Sequence, residues 1–340
     1  MRHHRINDPE HIDSAEIAEH IGKGSRVIVQ YSKSPYMPEQ LELLNQLAKA
    51  NGRNLEIRFY GHYSEVFDAS VLRAIPDVKS LSIDCIWSAS NLDTLSELRE
   101  LVELNFGVFE LDDANILRHC CSSSLEALTL GPTKSCGVDL AYLADCSKLK
   151  QFHTTGHKKN IATICRLASL RYLYLSSFKK RDDIGFLSDI PALEKLRFII
   201  GGRRSISEIT SSTLRELEII RVQGLEDLGN LGRFENLTNL SIEDQIRLTE
   251  IKVDRNPNLQ NIKVINCKSL DRISGISNLE ALSKLRIYRT AIDYDDFVSS
   301  ELPRTLKNFA FYSGKSRRDA EIGEDLKRRG FEGSLMGGGH

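Results

Sequence analysis

Leu92 to Phe106 reads LDTLSELRELVELNF, and it places Leu92, Leu95, Leu98, Leu101 and Leu104 three residues apart, with Phe106 two further on. An α-helix turns about 100° per residue, so steps of three drift backwards by about 60° each and smear five leucines round most of the cylinder. A strand needs a period of two. Period three giving way to period two fits tight, 3₁₀-like turns that feed a short strand.

The same arrangement recurs. The pattern L-x-x-L-x-L, with Ile, Val or Phe substituting, has its central apolar residue at Leu81, Leu104, Leu128, Phe152, Leu173, Leu196, Leu217, Leu240, Ile262, Leu285 and Phe309, at intervals of 21 to 24 residues. Return segments keep the three-residue period, as in Ile161/Ile164/Leu167/Leu170 and Leu225/Leu228/Leu231/Phe234/Leu237. On these residues the chain resembles the leucine-rich repeat superfamily, in particular its short-repeat, internalin-like class, over about Val78 to Tyr312. The resemblance implies an α/β solenoid of about eleven repeats. It would be a curved right-handed coil with a parallel β-sheet on the concave face, a 3₁₀ or short helical convex face, and caps at both ends.

The family's asparagine or cysteine, five residues after the central leucine, is matched by Cys267 and loosely by Thr133 and Thr290. Elsewhere that slot holds Ile86, Phe109, His157, Phe178, Gly201, Val222, Gln245 or Gly314. The side-chain ladder that satisfies buried backbone groups is therefore expected to be broken, or replaced by water or irregular turns. Asp112–Cys121 reads as a helical turn with an aspartate cap, and Leu248–Val253 as an extra short strand.

Residues 1–75 lack the repeat and read as an N-terminal cap of strand (Arg26–Tyr31), helix (Pro38–Ala50) and strand (Asn54–Phe59). The solenoid then occupies 76–314, a closing helix 315–330, and a disordered tail 331–340. Hydrophobic residues at 41% and charged residues at 27% suit a soluble globular chain. Net charge −1 and pI near 6.8 give no bulk electrostatic drive towards nucleic acid or anionic membrane. The first 22 residues, as written, hold no apolar core of a secretory signal. Seven cysteines without tandem spacing (Cys85, Cys120, Cys121, Cys136, Cys146, Cys165, Cys267) read as reduced thiols of a cytoplasmic protein.

In a solenoid the residues flanking each central leucine tile the concave sheet, because alternate strand residues face opposite sides. Strands about 4.8 Å apart make eleven coils span roughly 50 Å, enough for a standard protein interface. The expected surface is banded. Early rows carry small, mostly neutral groups: Ser80, Ser82 and Asp84, then Glu103, Asn105 and Gly107, then Ala127, Thr129 and Gly131. His153, Tyr172 and Tyr174 follow, then Lys195 and Arg197. An acidic band of Glu216, Glu218 and Glu243 comes next, and then a basic one of Lys263, Lys284 and Arg286 with Tyr288. Aromatic and Arg side chains are what binding hot spots favour. Six to eight residues after the centres, Lys134, Lys158, Lys159, Lys179, Lys180, Arg181, Arg203 and Arg204 are expected to stack into a basic ridge along one loop edge.

Catalytic motifs do not stand out. His153 and His157 flank a Thr-Thr-Gly bend without a metal-like spacing, and Gly22-Lys-Gly-Ser25 lacks a phosphate-loop pattern. The only tryptophan, Trp87, sits on an early loop and is expected to pack rather than read a ligand. The expectation is a non-catalytic, cytoplasmic protein-binding module. It needs no cofactor or metal, its partner is a protein rather than nucleic acid or membrane, and a small-molecule ligand is not expected. An inhibitor or immunity-type role is favoured. Alternatives are an exported adhesin, a scaffold subunit of a larger assembly, and an enzyme using His153, Asp139 or Asp145.

Overall fold

The computed structural model describes residues 2–134 and 137–332. The chain divides into two compact units, Met1–Leu170 and Arg171–His340. Each is built on seven parallel strands.

In the first unit these are β1 (Arg2–Asn7), β2 (Ser25–Tyr31), β3 (Leu55–Tyr60), β4 (Ser80–Ile86), β5 (Glu103–Val108), β6 (Ala127–Leu130) and β7 (Gln151–Thr155), neighbours in that order. In the second they are β8 (Tyr172–Phe178), β9 (Lys195–Gly202), β10 (Glu216–Gln223), β11 (Asn239–Glu243), β12 (Asn261–Ile265), β13 (Lys284–Tyr288) and β14 (Asn308–Tyr312). Parallel neighbours demand a crossover after every strand. Most crossovers here are single 3₁₀ turns, such as Leu92–Glu97, Leu140–Asp145, Ile161–Arg166 and Gly185–Asp189.

The central apolar residues pair with one another as the repeat requires. Leu81 lies opposite Leu104, Leu104 opposite Leu128, and Leu128 opposite Phe152. Leu173, Leu196, Leu217, Leu240, Ile262, Leu285 and Phe309 form the corresponding row of the second unit. The fold is the leucine-rich repeat solenoid. Within Leu92–Phe106, Leu95, Leu98, Leu101, Leu104 and Phe106 are buried and only Leu92 is half-exposed. Full burial of each such side chain stabilises by about 1.5–3 kcal/mol, so the three-residue period is a packing requirement.

The sheet starts earlier than the repeat does. Val29 pairs with Ile57 and Ile57 with Leu81, so the segment read as a cap contributes strands in register. Two of its elements were not foreseen. One is β1, and the other is α1 (Ser14–Gly22), whose N-cap Asp13 accepts from the Ala15 and Glu16 amides. The foreseen helix is α2 (Pro38–Asn51). In the second unit a short α3 (Tyr294–Ser299), capped by Asp293, was also missed. The closing α4 (Ser316–Arg328) stops before Gly330, which has φ 85°. Phe331 and Glu332, read from sequence as tail, belong to the fold. The Phe331 ring packs edge-on to Phe309 at 5.4 Å, and the Glu332 amide donates to the Lys307 carbonyl.

Asp112–Cys121 holds a 3₁₀ turn, Ile116–His119, rather than an α-turn, and no side chain caps it. The extra strand at 248–253 is present as Glu250–Lys252, paired with Arg272–Ser274.

A conformational repeat underlies the sequence repeat. Four residues after the central position the backbone turns left-handed at Cys85, Gly156, Ser177, Ile200, Arg221, Asp244, Asn266 and Arg289. The next residue then points inward, and Ile86, His157, Phe178, Val222, Gln245 and Cys267 are all buried there. Three polar residues in this slot bond to nearby backbone. His157 Nε2 donates to the Gly131 carbonyl at 2.8 Å and Nδ1 accepts from the Val138 amide at 3.2 Å. Gln245 Nε2 donates to the Glu243 carbonyl, and Cys267 Sγ lies 3.4 Å from the Ile265 carbonyl. At these three positions other polar types do the work of asparagine, while buried Ile86, Phe178 and Val222 leave the side-chain ladder broken.

Candidate functional site

Strand alternation presents the residues flanking each central leucine on one face of the second unit. Along β9 and β10 the pattern of half-buried and buried residues runs strictly in twos from Lys195 to Ile199 and from Glu216 to Ile220. Register puts Lys195 opposite Glu216 and Arg197 opposite Glu218. Lys195 Nζ lies 2.8 Å from Glu216 and 2.7 Å from Glu218, and Arg197 Nε donates to Glu218. Burial alone would raise the Glu218 carboxyl, but Lys195 and Arg197 outweigh it and hold the group below its ordinary value. The Arg197 guanidinium also sits 5.3 Å from the centre of the Tyr174 ring.

Further along, Lys263 Nζ donates to Glu243 at 2.6 Å and Asn261 to Asn239 at 2.6 Å. The Tyr288 and Tyr312 rings stack at 4.8 Å. Between these rows lies a depression of about 420 Å³ whose polar lining includes Arg197, Glu218, Ser241, Lys263, Lys284 and Arg286. The bands expected from sequence are therefore joined by cross-strand ion pairs. Lys284 is exposed, and no ion pair to it occurs among the described residues. Tyr172 is exposed at the start of β8. His153 is half-buried on β7 of the first unit.

The basic loop residues behave unequally. Lys179, Lys180 and Arg181 are exposed. Lys134 pairs with Glu110 at 2.6 Å, and Lys159 with Asp139 at 2.8 Å. Lys158 is half-buried. Arg204 is tied to Glu226 at 2.6 Å. Arg203 is not on a surface ridge. It is 5% exposed, with Nη2 donating to the Asp182 carbonyl at 3.0 Å and its guanidinium 5.8 Å from the Phe198 ring centre.

The strand face of the first unit is more charged than its sequence suggested. Arg26 lies 2.8 Å from Glu56 and 2.7 Å from Glu103, Arg53 reaches Glu103 and Glu126, and Arg58 donates to Asp84 at 2.6 and 3.0 Å. Ser82 donates to Glu56, and Asn105 to Asp84. Arg26, Arg53, Glu56 and Arg58 lie before the first repeat, so aligning the repeats could not find them. The alternation of β3 could have found Glu56 and Arg58. Beside this face, Tyr63, Trp87, Phe109, Gly131 and Pro132 line an apolar depression of about 360 Å³. Trp87 packs against Phe109 at 5.0 Å yet remains 49% exposed.

The residues weighed for catalysis have structural partners. Asp139 caps the turn Leu140–Asp145, and the Lys159 ammonium, the Ala141 amide and the Asn160 side chain lower its carboxyl to about 2. Asp145 ends the same turn. The Cys120, Cys146 and Cys267 thiols are buried and the described cysteines are free, while Cys136 lies outside the described residues. No described helix is long and apolar enough to cross a membrane.

No family model matches the sequence, and no curated protein does. Solved structures do. An internalin of Listeria monocytogenes is 14% identical with a TM-score of 0.55, over 86% of this chain and 79% of that one. A leucine-rich repeat protein of Leptospira interrogans is 13% identical with a TM-score of 0.51, over 96% and 93%. The mouse RP105/MD-1 complex contains a chain 14% identical with a TM-score of 0.55, over 84% of this chain and 54% of its own. The fold is thus that of the leucine-rich repeat proteins, internalin-like in its short, 3₁₀-rich returns.

Proposed function

We propose that the protein is a non-catalytic recognition module that binds a protein partner on the strand face of Arg171–His340. One observation carries this reading. The charged and aromatic side chains of that face are held in place by cross-strand pairs, Lys195 to Glu216 and Glu218, Arg197 to Glu218, Lys263 to Glu243, around an open depression. A surface ordered before its partner arrives loses little side-chain entropy on binding. The broad, shallow, polar depression suits a macromolecular surface better than a small ligand, which favours enclosed apolar pockets. Binding through an ordered face can act by occupying the partner, as an inhibitor or immunity-type protein does, and that is the role we favour. The free thiols of the described cysteines support a cytoplasmic setting, which we include in the proposal.

Affinity purification from the native cell tests the reading. The expected result is one stoichiometric protein whose recovery falls at least tenfold with Lys284→Glu and Tyr288→Ala combined. Reversing Lys179, Lys180 and Arg181 should leave recovery unchanged. If only the loop reversal abolishes recovery, the strand face is not the site.

A further inference from the structure

The N-terminal edge of the first unit brings together two imidazoles and a carboxylate that the recognition face does not use. His4 is on β1, whose exposed and half-buried residues alternate so that His4 and Ile6 share the less exposed side. His4 pairs in register with Val27 of β2. Glu16 and His20 are on α1, four residues apart and so on one helix face. His4 Nε2 lies 2.8 Å from Glu16 Oε1, and the His4 and His20 rings face each other at 3.5 Å with only 9° between their planes. One donor atom from each of the three lies within 4.8 Å of the others, and all three residues are half-buried.

A metal ion requires neutral imidazole and ionised carboxylate together. Tetrahedral zinc, with bonds of about 2.0–2.2 Å, separates its donors by roughly 3.3 Å, against the 4.8 Å within which the donor atoms of His4, Glu16 and His20 lie. The same three groups hold only the His4–Glu16 hydrogen bond to one another among the described interactions, which leaves donor capacity on both rings.

We propose that His4, Glu16 and His20 form a divalent transition-metal site of zinc type, with water in the fourth position. Two nitrogens and one oxygen are a borderline donor set that suits Zn²⁺ and excludes the harder Ca²⁺ and Mg²⁺, which take oxygen shells. The ion would clip the first strand to the first helix across the Ile12–Asp13 turn. That turn is otherwise held by the Ile12 amide donating to Gln40 and by the Asp13 cap. By joining β1 to α1 the ion would act structurally, as a clip on the fold.

Titration of the metal-stripped full chain with zinc chloride, followed calorimetrically, tests the site. The expected result is one equivalent bound, with His4→Asn and His20→Asn each weakening binding at least thirtyfold and Glu16→Gln about tenfold. His3→Asn and His11→Asn should change it less than threefold. Cobalt substitution should give the visible absorption of a four-coordinate N/O site. Zinc at about one hundred times its Kd should raise the melting temperature of the wild type and not of the His4→Asn/His20→Asn double variant. Metal-free variants that melt with the wild type show that folding is intact. The proposal is overturned if the double variant binds zinc as the wild type does, or if the wild type binds less than half an equivalent.

Discussion

At the level of single residues, the turn after each strand sets the strictest demands. Ile200 has φ 49° and is 52% exposed, a left-handed conformation that a β-branched side chain adopts at a cost of about 1–2 kcal/mol. Asp244 and Asn266 occupy the equivalent places with side chains that tolerate it. Ile200→Asn is therefore expected to stabilise the protein by about 0.5–1 kcal/mol in urea unfolding. A loss of stability would show that the Ile200 side chain has a packing role. Its neighbour Gly201 has φ 154°, and a Cβ there would stand 2.4 Å from the Phe178 carbonyl oxygen of the adjacent strand. Gly201→Ala should cost about 2–4 kcal/mol, since backbone rather than a flexible side chain is in the way. A melting temperature equal to that of wild type would refute the clash. Arg203 shows the limit of reading loops by charge alone. Its position fitted a basic edge, but Phe198 beneath it and the Asp182 carbonyl beside it draw it inward.

Within an element, a ladder residue must match its coil rather than a family letter. His157 bridges Gly131 and Val138 only as the neutral ring protonated at Nε2, the tautomer assigned by its two partners. Burial pushes its pKa below the ordinary 6.5 despite the bond to the Gly131 carbonyl, and burial lowers His62 likewise. A depressed folded-state pKa gives stability that is fully present above about 6.5 and lost as pH falls through the folded value. The melting temperature should accordingly drop on acidification below about pH 6.5. His157→Phe should make that slope shallower, and at pH 8 it should cost about 1–3 kcal/mol because a buried amide and carbonyl lose their partner. An unchanged acid slope in the variant would assign the loss elsewhere. Asp139 acts in the same direction at lower pH. Its hydrogen bond from Lys159, with those from Ala141 and Asn160, lowers it to about 2, so its contribution is fully present above about 3.8 and is lost as pH falls from there to about 2.

For the molecule as a whole, the repeat was legible because the central residues, Leu81 to Phe152 in the first unit and Leu173 to Phe309 in the second, must all be apolar and must stack in register within their unit. Composition at those sites is dictated by burial. The face was legible in position and not in energetics: Lys195 and Glu218 could be placed on neighbouring rows, but whether they stood free or paired depended on register and side-chain reach. Arg26, Arg53 and Arg58 went unread because they precede the L-x-x-L spacing that announced the later strands: β2 runs Val27, Ile28, Val29 without alternation, and Arg53 lies in the 3₁₀ turn before β3. This pairing changes what a charge reversal measures. Lys195→Glu would set a third carboxylate beside Glu216 and Glu218, all partly buried, and should cost about 1–3 kcal/mol of stability before any partner is added. Lys284 is exposed and without an ion pair among the described residues, so Lys284→Glu should leave stability within about 0.5 kcal/mol. If the strand face binds the partner, the Lys284 variant should slow association several-fold at low salt, and the difference should shrink at about 0.5 M salt, where the Debye length falls to about 4 Å. Stopped-flow association beside denaturant melts separates the two effects. Equal association rates for wild type and Lys284→Glu, with the complex intact, would place the contact away from this face.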